Sequence, residues 1–180
     1  MVTIIFEAHG TTFDNEKQLS SGHFDVGLSP LGEKQAKELG QRYQDIHFDA
    51  IFCSDLQRSY KTAEIAFSDR CPIIKDKRLR ECDYGDLTRH STAEISPQKV
   101  EHILIPFPNG ESYKQTFKRI KIFLDELRQK YHGRDINVLI IGHRATQYGL
   151  EYLINGASLK DAITTPFIWQ PGWVYYLDKK

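Results

Sequence analysis

Ile4-Ile5-Phe6-Glu7-Ala8-His9-Gly10 is the stretch from which the fold is read. Its short apolar run of branched residues, starting almost at the N-terminus, predicts a first strand buried in a sheet. The run stops at His9-Gly10, where a strand gives way to a tight turn that glycine permits. The same layout returns in Val138-Leu139-Ile140-Ile141-Gly142-His143-Arg144. There an apolar run without polar alternation, the pattern of a parallel strand covered on both faces, again ends on a histidine beside a glycine. Open α/β sheets collect their ligands outside the carboxyl ends of the strands. His9 and His143 are therefore expected to face each other across one pocket at that edge.

Working outward, Thr11 to Gly27 is polar and aperiodic, a long loop of the kind that carries function. Ser29-Pro30 starts a helix, with Ser as N-cap and Pro in the first helical position. Leu31, Leu39, Tyr43 and Ile46 are expected to form its buried face. Phe48–Cys53 reads as a second strand. Ser54-Asp55 ends it and is expected to cap a helix packed through Thr62, Ala63 and Ala66. Arg58 falls in the first turn of that helix, where a cation costs about 0.3–1 kcal/mol against the macrodipole. That placement suits an anionic ligand nearby. Ile73-Ile74 is a candidate third strand, and a short helix is expected to begin near Ser91. Ser112 can cap the clearest amphipathic helix, with Phe117, Ile120, Leu124, Leu127 and Tyr131 at helical spacing. A helix from about Ala145 to Ile154 follows His143, and Trp173–Leu177 closes the chain as a strand. Strands alternating with helices predict a three-layer α/β/α sandwich with a mainly parallel central sheet, in a single domain over residues 1–180.

Lys plus Arg and Asp plus Glu number 24 each, so the formal net charge is zero. A nucleic-acid binder would show a basic excess, so nucleic acid is not an expected partner. The aromatic run from Trp169 to Tyr176 is accordingly expected to be core, not a base-stacking platform. Cys53, Cys71 and Cys82 form no CxxC pair and leave an odd number for disulfides, which suits a reduced interior. The N-terminal apolar run is too short for a signal peptide, and no run approaches a membrane span. A cytoplasmic location is expected. No HExxH motif or Cys/His cluster supports a metal site for the histidine pair. His23, His47, His90, His102 and His132 lack the strand-end context and are expected at the surface.

The ordered motifs resemble the histidine phosphatase superfamily, also called phosphoglycerate-mutase-like, whose first strand ends in Arg-His-Gly and usually continues Glu-Thr-x-x-Asn. Here His9, Gly10, Thr12 and Asn15 fit. Gly22, Asp25, Leu28-Ser29, Gly32 and Gln35-Ala36 match the next signature. Ser54-Asp55-Leu56-Gln57-Arg58 with Thr62-Ala63-Glu64 looks like the family's second-arginine helix, and Leu79 to Gly85 like its acid-bearing segment. Gly110-Glu111-Ser112 with Arg119, then Ile141-Gly142-His143, complete the series. The resemblance implies that His9 attacks a phosphoryl group to form a phosphohistidine, which water or an acceptor resolves. It gives Glu81 the part of general acid and base. Arg58, Asn15, Gly10 and His143 fall at the positions that surround the transferred group. It implies no metal or organic cofactor, and a small phosphorylated metabolite as partner.

Ala8 stands where the family has its first arginine, and Thr11 where it usually has Glu. A lost charge-assisted bond of this kind is worth about 1.5–3 kcal/mol. Arg144 is either its substitute from the opposite wall or an ordinary arginine at a helix start, and both readings stand at this point. Three functions follow: a phosphohydrolase acting on a small phosphomonoester, phosphoglycerate-mutase-type transfer, or a phospho-ligand binder without turnover. The mutases resemble longer chains with extra segments that shield the pocket from water, and 180 residues leave little room for these. A pure binder needs neither nucleophile nor acid, so the hydrolase is the leading expectation.

Overall fold

In a computed structural model, which describes residues 1–177, the chain folds around a five-stranded sheet. The strands are β1 (Val2–Ala8), β2 (Ala50–Cys53), β3 (Ile73–Lys75), β4 (Ile136–Gly142) and β5 (Trp173–Leu177), in the order β3-β2-β4-β1-β5. All neighbours are parallel except β5, which runs antiparallel along the edge of β1. Side-chain alternation divides the core into two layers. Ile4, Phe6, Val138 and Ile140 point one way, while Leu139 and Ile141 point the other. The expected sandwich with its mainly parallel sheet is what forms.

Seven α-helices are described: α1 (Phe13–Glu16), α2 (Pro30–Arg42), α3 (Gln57–Phe67), α4 (Thr92–Gln98), α5 (Tyr113–Lys130), α6 (Arg144–Leu153) and α7 (Leu159–Thr164). Helices α2 and α3 cover the Leu139/Ile141 face, and α5 and α6 cover the other. Ser29, Ser91 and Ser112 each accept a backbone N–H in the following first turn, so α2 and α5 start at the serine N-caps expected and α4 starts near Ser91, as expected, with that serine as its cap.

Four details differ from the expectations. Leu31 and Ile46 are exposed, and α2 packs through Gly32, Ala36 and Leu39, followed by Tyr43. Small residues win because α2 lies against backbone: a Cβ on Gly32 would sit 2.0 Å from the Thr11 carbonyl oxygen. Helix α3 starts at Leu56 without a side-chain cap, and Asp25 instead accepts the Gln57 N–H at 2.7 Å. In the terminal aromatic run only alternate residues are core. Tyr175 is buried, whereas Trp169, Val174 and Tyr176 are exposed, since β5 has one face open. Among the histidines expected at the surface, His102 is buried and stacks on Phe107 with ring centroids 3.8 Å apart. No helix among the described residues is long and apolar enough to cross a membrane.

Candidate active site

The register of β1 and β4 places Ala8 beside Gly142, and His9 N–H donates to the Gly142 carbonyl at 3.1 Å. The two strands therefore end level, and the histidines leave the sheet together. Their ring centroids are 5.0 Å apart. They stand in a cavity of about 1000 Å³ that Gly10, Asn15, Arg58, Glu81 and Arg144 also line. One cavity thus holds all seven residues singled out in the sequence.

The hydrogen bonds fix what each ring can do. His9 Nδ1 lies 2.7 Å from the Gly10 carbonyl oxygen. A carbonyl only accepts, so Nδ1 carries the proton and Nε2 keeps its lone pair. Burial, then the Arg58 charge, push the His9 pKa down from 6.5 to about 3. Although part of the ring is open to cavity solvent, it is neutral and nucleophilic at neutral pH. His143 Nε2 lies 2.6 Å from Ser54 Oγ, which itself accepts the Leu56 N–H at 3.3 Å. The Ser54 hydroxyl is free to donate to Nε2, which leaves Nδ1 as an N–H donor. That Nδ1 is buried and has no hydrogen-bond partner among the described residues. Burial, with Arg58 second, lowers the His143 pKa well below the usual histidine range.

Glu81 occupies the N-terminus of α6. Its carboxylate accepts from the Cys82, Arg144 and Ala145 amides at 2.8, 3.1 and 3.2 Å. The backbone carrying it is held by Arg119, which donates to the carbonyls of Arg78, Arg80 and Glu81 and pairs with the Glu111 carboxylate at 2.9–3.0 Å. His23 adds a 2.8 Å bond to the Glu81 carbonyl, so this histidine belongs to the site's support and not to the free surface. Arg58 is almost wholly buried and donates to the Gly22 and Phe24 carbonyls at 2.7 and 3.0 Å, tying down the polar loop after α1.

Gly10 and Asn15 are placed differently from a simple ring of donors. The Gly10 N–H is taken by Thr62 Oγ1 at 3.0 Å. A Cβ there would lie 2.5 Å from the Gly32 carbonyl oxygen, so glycine lets the turn press on α2. Asn15 Oδ1 accepts the Thr12 N–H in a capping box, which leaves the donor end of its amide unused by the cap. Ser54, Thr62 and His23 were not singled out as functional in the sequence. Ser54 and Thr62 lie inside quoted motifs, but their partners are long-range.

Ala8 points to the same sheet face as Phe6, the face that α6 covers. Arg144 opens α6 on that side. Its guanidinium donates to Gln147 Oε1 and, at 2.6 Å, to the Thr165 carbonyl, between the rings of Tyr148 and Phe167. Arg42, also at the cavity, is bound instead to Glu7 at 2.8 Å on the opposite face. No cluster of three or more metal-ligating side chains occurs among the described residues.

The chain and its fold have known counterparts. Residues 4–167 match the model of the histidine phosphatase superfamily, branch 1. The chain is 31% identical to phosphoserine phosphatase 1 of Hydrogenobacter thermophilus, over 88% of this chain and 79% of that protein. It is likewise 31% identical to the Bacillus subtilis phosphatase PhoE, over 87% and 79%. The structure of Bacillus stearothermophilus YhfR superposes with a TM-score of 0.82 at 26% identity, covering 97% of this chain and 90% of that one. The chain belongs to the histidine phosphatase superfamily, and is a phosphatase of its phosphoglycerate-mutase-like branch.

Proposed function

We propose that the protein hydrolyses a small phosphomonoester through a phosphohistidine at His9. The observation that carries this reading is the Gly10 carbonyl bound to His9 Nδ1, which leaves Nε2 as the unprotonated atom. Nε2 attacks phosphorus, the bond to the leaving oxygen breaks, and that oxygen takes a proton from Glu81 in its carboxylic-acid form, the form the second step restores. Water then attacks the phosphohistidine, gives its proton to Glu81, and releases inorganic phosphate. The His143 Nδ1–H, the Arg58 charge and the Asn15 amide stabilise the equatorial oxygens, while Gly10 shapes the turn. Arg144 replaces the guanidinium that Ala8 lacks. The reading is supported by its place on the Ala8 side of the sheet and by the commitment of Arg42 to Glu7. Partial exposure of the His9 ring in a water-accessible cavity supports hydrolysis over transfer to a second substrate.

The test is phosphate release from a panel of phosphomonoesters by the protein and by His9→Ala. Release that disappears in His9→Ala is expected. Release that persists there would contradict the proposal, and binding of phosphate without any release in either would favour a non-catalytic binder.

A further inference from the structure

Asn15 reaches the cavity from α1, a helix of four residues that is too short to hold its place without tertiary contacts. Its N-cap is fixed, since Thr12 is buried and bridges to Leu28. Of the four described residues of α1 itself, only Asp14 is buried, while Phe13, Asn15 and Glu16 are exposed. The helix thus has no apolar anchor of its own, and a carboxylate withdrawn from water holds it down.

Asp14 is 1% exposed, and a buried carboxylate is tolerated where its oxygens are paired. Oδ2 accepts the Ser21 hydroxyl and Oδ1 accepts Arg89 Nη2, both at 3.1 Å. Arg89 has a φ of 66°, in the left-handed region that disfavours any residue with a Cβ. Glycine would take that turn freely, so the arginine side chain is what the position retains. Its guanidinium carbon lies 4.4 Å from the centroid of the Phe24 ring, and the Phe24 carbonyl is the one that accepts from Arg58 at 3.0 Å. The Arg89 N–H donates to the Ser20 carbonyl at 2.8 Å, and the Ser20 N–H to the His90 carbonyl at 2.9 Å. Arg89 therefore joins three pieces of the cavity wall: α1, the loop tied to Arg58, and the segment that continues from Glu81.

Resting on the phosphohydrolase reading, we infer that Asp14 and Arg89 are a pair of positioning residues, whose ion pair sets the orientation of α1 and so aims the Asn15 amide at the phosphoryl group. Neither touches a reacting atom. An anchor with no part beyond folding would be served as well by an apolar side chain at position 14 and glycine at position 89.

Vanadate binding is measured by calorimetry, which needs no turnover, on the protein, Asp14→Ala, Asn15→Ala and the double variant. Each single change is expected to weaken binding about five- to tenfold. The double variant should lose no more than about twofold beyond Asn15→Ala, because Asp14 acts through that amide. Arg89→Gly separates positioning from folding. It removes the left-handed penalty, so a folded protein by circular dichroism is expected, while vanadate binding still falls about fivefold. Losses that add in the double variant, or an Arg89→Gly protein that binds vanadate as tightly as the parent, would overturn the inference. A parent that binds no vanadate would remove the phosphate pocket, and the inference with it. Phosphate release that fails while the coupling persists would leave the positioning pair standing and remove only the hydrolysis.

Discussion

At the scale of single residues, the site depends on which nitrogen of each histidine carries a proton. For His143 that choice rests on Ser54, whose hydroxyl is 2.6 Å from Nε2. Ser54→Ala should lower kcat/KM by about ten- to a hundredfold while the protein stays folded, because Nδ1 loses its fixed proton. An unchanged kcat/KM would refute this assignment. The same burial makes both histidines acid-sensitive. Their folded pKa values lie below the unfolded value of 6.5, His9 at about 3. Between those limits the unfolded chain binds more protons, so stability falls as pH drops below 6.5. Each histidine contributes a slope of up to about 1.4 kcal/mol per pH unit. Urea denaturation of ligand-free protein from pH 4 to 7 should show a shallower dependence in His9→Asn than in the parent; equal slopes would contradict the buried neutral ring.

At the scale of elements, α2 and the acid-bearing segment set the geometry. Gly32→Ala drives a Cβ to 2.0 Å from the Thr11 carbonyl oxygen, a backbone atom that cannot swing aside. A loss of about 3 kcal/mol in denaturant unfolding is expected, and a loss under about 0.5 kcal/mol would show that the α2–turn contact is loose. Arg119 touches no reacting atom, but it holds three carbonyls ahead of and at Glu81. Arg119→Ala should reduce kcat by up to about a hundredfold with KM little changed, since the acid is displaced while the phosphoryl pocket stays. A rise in KM with kcat unchanged would place Arg119 in substrate binding instead. Element types were legible because each signal was local: apolar runs for β1 and β4, serine caps for α2 and α5. The buried face of α2 was not, because close backbone packing selected Gly32 and Ala36 over Leu31. The start of α3 was missed because its cap partner, Asp25, comes from a distant loop.

At the scale of the whole molecule, the register of two parallel strands turns a sequence pattern into a pocket. Ala8 pairs with Gly142, so two His-Gly strand ends 134 positions apart become neighbours. The strand pattern predicted the meeting of His9 and His143, the helix-start position pointed to Arg58, and the family resemblance gave Asn15 and Glu81 their parts. The supporting contacts of Ser54, His23 and Thr62 stayed hidden, since they join residues far apart in the chain through bonds no local pattern encodes. The cavity also collects Arg144 on the side of the sheet where Ala8 lacks a guanidinium. Arg144→Ala should weaken vanadate inhibition by about tenfold or more, the scale of one charge-assisted bond. Unchanged inhibition would return Arg144 to an ordinary helix-start arginine.

The most direct measurement is a single-turnover reaction quenched in alkali and analysed by mass spectrometry, with the adduct mapped by peptide fragmentation. A transient phosphoryl group on His9, absent in His9→Asn, is the expected result. Turnover with no adduct, or an adduct on another residue, would contradict it.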